Sequence, residues 1–478
     1  MSILRLSAVA TLAAVVILTA APASAQYARP ERPYRGLFGG GYGNSEQMLS
    51  MNVSFGGGYD SNVILGSTGS PGVESNPLRY AGSTTGNMAG SLGYSFSRKK
   101  VAITAGGTMS GSFYPDLPRT FYPSSGANFG GGFHLSSHTR ASVNETFTYQ
   151  PFSLQSALWG YNNPAGQAPY VASGSNVGDS LEQPPGAPAD ISPAPIEVTN
   201  QDASAAENYM TWNTMASLSH QLNRRLTATV SYNYTSFSSP SHVRDMHYNN
   251  AAGYLSVEVG KGLAVRLGYG FTGAEYVNGT VPGSHSSNII AGLDYSRALS
   301  VSLSRKTSLS FGVGTSIVSD VPLQEGVQSN QHFFVTGHAT LNREIGRTWN
   351  AAVMFDQSVN FVYALQQPAL TDTLSGSFGG LISRKVQFHS SVGASQGSAI
   401  TTAHGSHYRT YFASTGLQFA VSRSMALGIN YSFTRYSFDE GLNLPFNLSR
   451  NESRHSVMAT FSLFQPLFNR TRRPDATR

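Results

Sequence analysis

Apolar and polar residues alternate with a period of two along most of this chain. Leu226, Ala228, Val230, Tyr232 and Tyr234 share one parity, and Thr227, Thr229, Ser231, Asn233 and Thr235 share the other. Met425, Leu427, Ile429, Tyr431 and Phe433 likewise alternate with Ala426, Gly428, Asn430, Ser432 and Thr434. Leu309, Phe311, Val313 and Ile317 alternate with Ser308, Ser310, Gly312, Gly314 and Ser316. Successive strand side chains point to opposite faces, so each run predicts a strand with one apolar and one polar face. Helical spacing is almost absent. Candidate strands begin near Met51, Met88, Val101, Asn128, Ala141, Met210, Leu226, Asn249, Leu263, Asn288, Ser308, Phe333, Trp349, Thr373, Val386, Tyr411, Met425 and His455.

The connections say which environment the apolar face meets. Every second one is tight, as at Ser97-Arg98-Lys99-Lys100, Asn223-Arg224-Arg225, Ser383-Arg384-Lys385 and Ser422-Arg423-Ser424. The others are longer and richer in Gly, Pro and Asn. A soluble β-sandwich has no reason to alternate in this way, whereas short periplasmic turns and long outer loops are the rule in bacterial outer-membrane barrels. The expected fold is therefore all-β, a transmembrane antiparallel up-and-down β-barrel of about 18 strands, with 16 as the alternative count. The parity of the connections places both termini in the periplasm, and the apolar face of each strand meets lipid.

The N-terminus predicts a secretory signal over residues 1–25. Arg5 supplies the charge, Ala8 to Ala21 is apolar but too short to span a membrane, and Ala23-Ser24-Ala25 is an A-x-A-type cleavage site. Residues 26–48 are expected to form a periplasmic leader, 49–464 the barrel, and 465–478 a basic tail. Val457, Ala459, Phe461 and Leu463 give the last strand its apolar parity, and Phe464 is expected to close it.

Composition agrees. Only 12% of residues are charged, against about a quarter in ordinary soluble domains. The 50 glycines and many small polar residues suit a wide polar lumen. The formal charge of +6 is spread singly over short turns, so no basic stripe points to nucleic acid. Cysteine is absent, and a closed barrel satisfies its own backbone without disulfides.

Motifs for chemistry are weak. Gly393-Ala394-Ser395-Gln396-Gly397 matches G-x-S-x-G, but a nucleophile elbow needs a helix after the strand, and none follows. His404 and His407 lie in a Gly/Ser segment without acidic or Cys neighbours, so no metal site is expected. No cofactor and no catalytic residue is assigned. The polar parity instead selects Glu258, Arg266, Asp294, His338, Asp356 and His389 as candidate pore-lining residues. Glu145 falls on the apolar parity and is expected at the membrane edge. Aromatics near strand ends, among them Tyr94, Phe96, Phe113, Tyr114, Tyr269, Phe271, Trp349 and Phe419, fit interfacial girdles. The connection from Pro151 to Glu207 is long, Pro-rich and acidic. Asp179, Glu182, Asp190 and Glu197 make it a candidate constriction loop, and a surface loop facing the medium is the alternative.

The first strand reads Val53-Ser54-Phe55-Gly56-Gly57-Gly58-Tyr59-Asp60-Ser61-Asn62-Val63. A first strand running into Tyr-Asp-Ser-Asn-Val after a signal peptide resembles the β-barrel porin 2 family of bacterial outer-membrane proteins. The hairpin pattern extends that resemblance over the mature chain. Some similar proteins are associated with exopolysaccharide export, so the resemblance implies an outer-membrane conduit for polymer. Expected partners are outer-membrane lipid and lipopolysaccharide, the barrel-assembly machinery and, under the export reading, periplasmic polysaccharide-export components. Passive diffusion of small solutes, a plugged structural or adhesive barrel, and an outer-membrane hydrolase are the alternatives.

Overall fold

The computed structural model describes residues 45–65, 79–98, 100–116, 121–151, 208–238, 245–260, 263–277, 283–295, 297–298, 307–320, 331–346, 348–362, 367–400, 407–422, 424–439 and 450–471. Its strands are β1 (Ser45–Leu65), β2 (Arg79–Arg98), β3 (Val101–Phe113), β4 (Phe121–His134), β5 (Thr139–Pro151), β6 (Asn208–Gln221), β7 (Leu226–Ser238), β8 (Met246–Gly260) and β9 (Leu263–Tyr276). They continue with β10 (Ser284–Tyr295), β11 (Arg297–Ala298), β12 (Thr307–Asp320), β13 (Gln331–Ile345), β14 (Trp349–Val362), β15 (Gln367–Ser383), β16 (Val386–Ala399), β17 (His407–Ala420), β18 (Met425–Phe438) and β19 (Asn451–Thr471). Strands β10 and β11 both pair with β12 and form one line, so the sheet has 18 crossing strands. Each strand pairs antiparallel with its chain neighbours, and β1 pairs with both β2 and β19. The sheet is thus a closed barrel without an edge, which leaves no strand open to mispairing.

The two faces of this barrel are inverted relative to a soluble protein. Along β7 the polar residues Thr229 and Asn233 are only 4% and 1% exposed, while Val230 is 62% exposed. Leu92, Leu267, Val335, Leu374 and Ile429 are exposed on the same outward face around the wall. Large apolar side chains left in water on every strand would be untenable for a soluble monomer. In lipid they are at home, and the polar parity turns inward.

Aromatic groups border the apolar band. At the tight-turn end Trp349 stacks on Phe378, with ring centroids 4.9 Å apart, and lies 6.1 Å from Phe388. Towards the other end Phe147 meets Trp212 edge-on at 6.4 Å. Of the aromatics expected in girdles, Phe113, Tyr269, Phe271 and Phe419 are exposed outward. Tyr114 departs from that expectation. It follows the outward Phe113, so the parity of β3 carried on by one residue turns it inward, and it is wholly buried.

Connections at one end are tight: 99–100, 135–138, 222–225, 261–262, 346–348, 384–385 and 421–424, with 299–306 the longest there. The opposite end carries 66–78, 152–207, 321–330 and 439–450 among others. Both the start of β1 and the end of β19 lie at the tight end, where Ser45 faces Thr471.

The barrel is longer in sequence than 49–464. β1 begins at Ser45, and β19 runs on to Thr471 because Gln465 to Thr471 pair with Ser45 to Met51. A register shift between Leu49 and Ser50 accommodates Pro466 and breaks the alternation that marks the strand earlier on. Phe464 turns inward and is buried, so the terminal outward aromatic is Phe468. The Gly393–Gly397 stretch lies inside β16, the next described element is β17, and Ser395 accepts a hydrogen bond from Thr373 at 3.3 Å.

Glu145 does lie on the outward face, paired in register with Phe129 and Thr214. The Thr214 hydroxyl donates to its carboxylate at 3.4 Å, and the Trp212 indole N–H donates to Thr214 Oγ1 at 3.0 Å. Strands rise ~3.3 Å per residue and tilt about 40° in barrels, so Glu145 sits on the order of 15 Å above the turn before Thr139. That is well inside the apolar band rather than at its edge.

Candidate functional site: the lumen wall

Inward positions are filled mainly by Ser, Thr, Asn and Gly, which hydrogen-bond from strand to strand. Asn213 Nδ2 donates to Asn233 Oδ1 at 2.9 Å and to Thr235 Oγ1 at 2.7 Å. Asn250 Nδ2 donates to Thr272 Oγ1 at 2.8 Å. Hydroxyl pairs at Ser142–Ser217 and Ser391–Ser414, each 2.7 Å, continue the pattern on other strands. These bonds hold short polar side chains flat against the wall, and a buried polar group so paired carries little penalty.

Three of the candidate pore-lining residues converge. Arg266 on β9 faces Gly292 on β10; Gly312 on β12 faces His338 on β13; His338 in turn faces Asp356 on β14. A strip Arg266–Gly292–Gly312–His338–Asp356 therefore crosses the wall. A small recess lies over it, lined by Arg266, Gly292, Gly312, His338 and Ser358 among others. The glycines make the room: a Cβ on Gly312 would stand 2.5 Å from the His338 ring. Arg266 is buried, with its guanidinium 5.2 Å from the Tyr254 ring centroid, a cation–π distance. Asp356 accepts a hydrogen bond from Ser358 at 2.6 Å. The strip presents a cation and a carboxylate on one side of the lumen, separated by an imidazole.

The other candidates lie elsewhere. His389 is inward on β16, in another row, and its ring lies where a Cβ on Gly416 would be, 2.4 Å away. Glu258 has inward parity but is exposed at the tight-turn end of β8, at the rim rather than in the strip. Asp294 pairs in register with Ala264 in the ladder; its side chain lies outside the described residues. Asp179, Glu182, Asp190 and Glu197 also lie outside them, as does His404.

Sequence reasoning missed a second inward cluster at the long-connection end. Arg454 Nε donates to both Asp60 carboxylate oxygens at 2.9 Å, and a terminal guanidinium nitrogen donates to Oδ2 as well. The pair is buried and bridges β19 to β1, the seam that closes the barrel. One residue on, the His455 backbone N–H donates to Ser61 Oγ at 2.9 Å. Tyr114 packs beside this pair and meets Tyr122 edge-on at 5.7 Å. Burial pushes the Tyr114 phenol above its ordinary 10.0 while Arg454 pulls it back, so the phenol is neutral. Asp116 accepts from Ser83 at 2.9 Å and ties the β3–β4 connection to β2. The only sequence signal was the Tyr59–Val63 motif, which holds Asp60 and Ser61.

Among the described residues no group of three or more His, Cys, Asp or Glu is placed to hold a metal ion.

No protein-family model matches the chain, and no curated protein matches it in sequence. Solved structures similar to it include OccK2 (OpdF) of Pseudomonas aeruginosa, at 10% identity and TM-score 0.41, covering 87% of this chain and 98% of that one. A BenF-like porin from Pseudomonas fluorescens Pf-5 has 10% identity and TM-score 0.42, covering 88% and 99%. The ferric-catecholate import receptor Fiu of E. coli K12 has 9% identity and TM-score 0.39, covering 89% and 82%.

Proposed function

We propose that this chain is a non-enzymatic outer-membrane channel that passes small polar solutes by diffusion. The observation that carries the reading is the inversion of its faces. Apolar residues form a continuous outward band, and the inward face is a hydrogen-bonded wall of Ser, Thr, Asn and Gly with a few charges. Barrels of 16–18 strands enclose an aqueous channel, and a small neutral lining gives weak selectivity. Polymer export is implied by the family resemblance alone; no described residue of the lumen favours a polymer over a small solute. Liposomes containing the refolded protein should swell in isosmotic mono- and disaccharides and stay shrunken in a large dextran. Liposomes that behave like protein-free controls would count against an open bore.

The reading places the tight turns and both termini in the periplasm. Since the chain has no cysteine, Arg224→Cys, Arg384→Cys and Gly405→Cys can each be probed alone on intact cells with an impermeant thiol reagent. Labelling of Gly405→Cys only is expected. Labelling of the two turn variants instead would invert the orientation.

The strip at Arg266 gives the lumen its local field. Low-dielectric walls focus such fields. Arg266→Glu should therefore move the reversal potential of the folded fraction in a salt gradient towards cation preference. A reversal potential equal to that of the unaltered protein would remove Arg266 from the ion path.

A further inference from the structure

Two arginines stand side by side on the outward face, where neither the channel nor the fold uses them. Arg409 is the third residue of β17, and Arg435 lies three residues before the end of β18, both at the long-connection end. In register Arg409 faces Ser437 and Tyr411 faces Arg435, so the two arginines are diagonal neighbours on one face. Such neighbours stand roughly 7 Å apart at Cβ. Both are exposed, and among the described residues neither has an acidic or hydrogen-bonding partner. The nearest carboxylate is Asp439, diagonal to Arg409, which accepts from the His407 backbone N–H at 3.0 Å and has Arg450 beside it; Asp372 lies further off, across Gln396. With Arg450 beside them the three cations outnumber that one carboxylate, and adjacent cations at a membrane boundary repel each other unless an anion bridges them.

What lies around them defines the anion. Towards the membrane centre the same strands present the facing pair Leu417 and Ile429, an apolar track suited to acyl chains. Beside the arginines Tyr411 is exposed, and the Tyr431 hydroxyl lies 2.8 Å from His455 Nδ1 at the band's border. The patch thus has a dicationic head above an apolar stem. On the order of ten residues of strand separate it from the tight turn, or about 25 Å along the membrane normal, the height of the apolar band. With the long connections outside, as proposed above, that height is the headgroup level of the outer leaflet.

We propose that Arg409 and Arg435 form a docking site for the phosphate groups of lipid A, with its acyl chains running towards Leu417 and Ile429. Arginine suits this role because its planar fork binds phosphate oxygens in pairs. The site is distinct from the lumen and fixes which lipid borders β17 and β18.

The test is lipid retention by the refolded full chain in detergent, read by native mass spectrometry. Bisphosphoryl lipid A, monophosphoryl lipid A and phosphatidylglycerol are the probes. Bisphosphoryl lipid A should be retained best. The double variant Arg409→Gln/Arg435→Gln should lose it by about tenfold or more, as expected for lost charge-assisted hydrogen bonds. Arg343→Gln, an exposed arginine near the tight end of β13, should retain it fully. Equal retention by the double variant, equal retention of phosphatidylglycerol, or the same loss in Arg343→Gln would overturn the assignment. Single-channel conductance of the double variant should be unchanged, so failure here leaves the channel reading standing, and failure of the channel leaves this measurement interpretable.

Discussion

Asp60→Ala should lower the unfolding free energy of the refolded barrel by about 3–5 kcal/mol, the usual consequence of stranding one member of a buried ion pair. Asp60 is fully buried and Arg454 nearly so, and the pair ties the first strand to the last. Arg454→Met should act similarly by leaving the carboxylate unpaired. The double variant Asp60→Leu/Arg454→Met should recover much of the loss, because two apolar groups leave no uncompensated charge. Urea titration in detergent, followed by the folded-band shift on gels, measures all three. Single variants within about 0.5 kcal/mol of the original, the range typical of surface substitutions, would mean that the seam is held by its backbone ladder alone.

The second large effect separates the two faces of one strand. Val230→Arg on β7 and Ile429→Arg on β18 place a guanidinium against hydrocarbon, at about 2–4 kcal/mol near the bilayer midplane. Thr229→Arg, one residue from Val230, places the same group on the lumen side, where it can reach water. Folded yields should fall sharply for the first two and stay near the original for the third. Comparable yields for Val230→Arg and Thr229→Arg would show that the outward band is not in lipid.

Much of the wall was legible in the sequence because period-two alternation reports both strand and face. All eighteen expected strands are present. Starts after tight turns coincide with the structure at Val101, Leu226, Leu263, Trp349, Val386 and Met425. Starts after long connections were placed late: Met88 against Arg79, Thr373 against Gln367, Tyr411 against His407. The physical reason shows in β2. Ser83, Thr84 and Thr85 are polar on both parities, as suits wall that rises beyond the lipid, so no apolar face announces it.

The lumen strip was half legible. Parity alone put Arg266, His338 and Asp356 inward, but their grouping depends on inter-strand register and on Gly292 and Gly312 between them. The Asp60–Arg454 bridge was out of reach, since 394 positions separate its members and only closure of the barrel brings them together. Tyr114 was grouped with the outward aromatics although it directly follows Phe113, and consecutive strand residues face opposite sides. Glu145 was right in parity and wrong in depth, because position relative to a turn does not give height without strand tilt.

The central claim is that the barrel is an open, polar-lined pore. Planar bilayers with the refolded protein test it directly. Discrete, reproducible conductance steps at low voltage are predicted, rising in proportion to salt concentration as for a water-filled bore, with the step size altered by Arg266→Glu. Protein that is folded by band shift and inserted in the bilayer, yet passes no current at any salt concentration, would contradict the account and identify a plugged barrel.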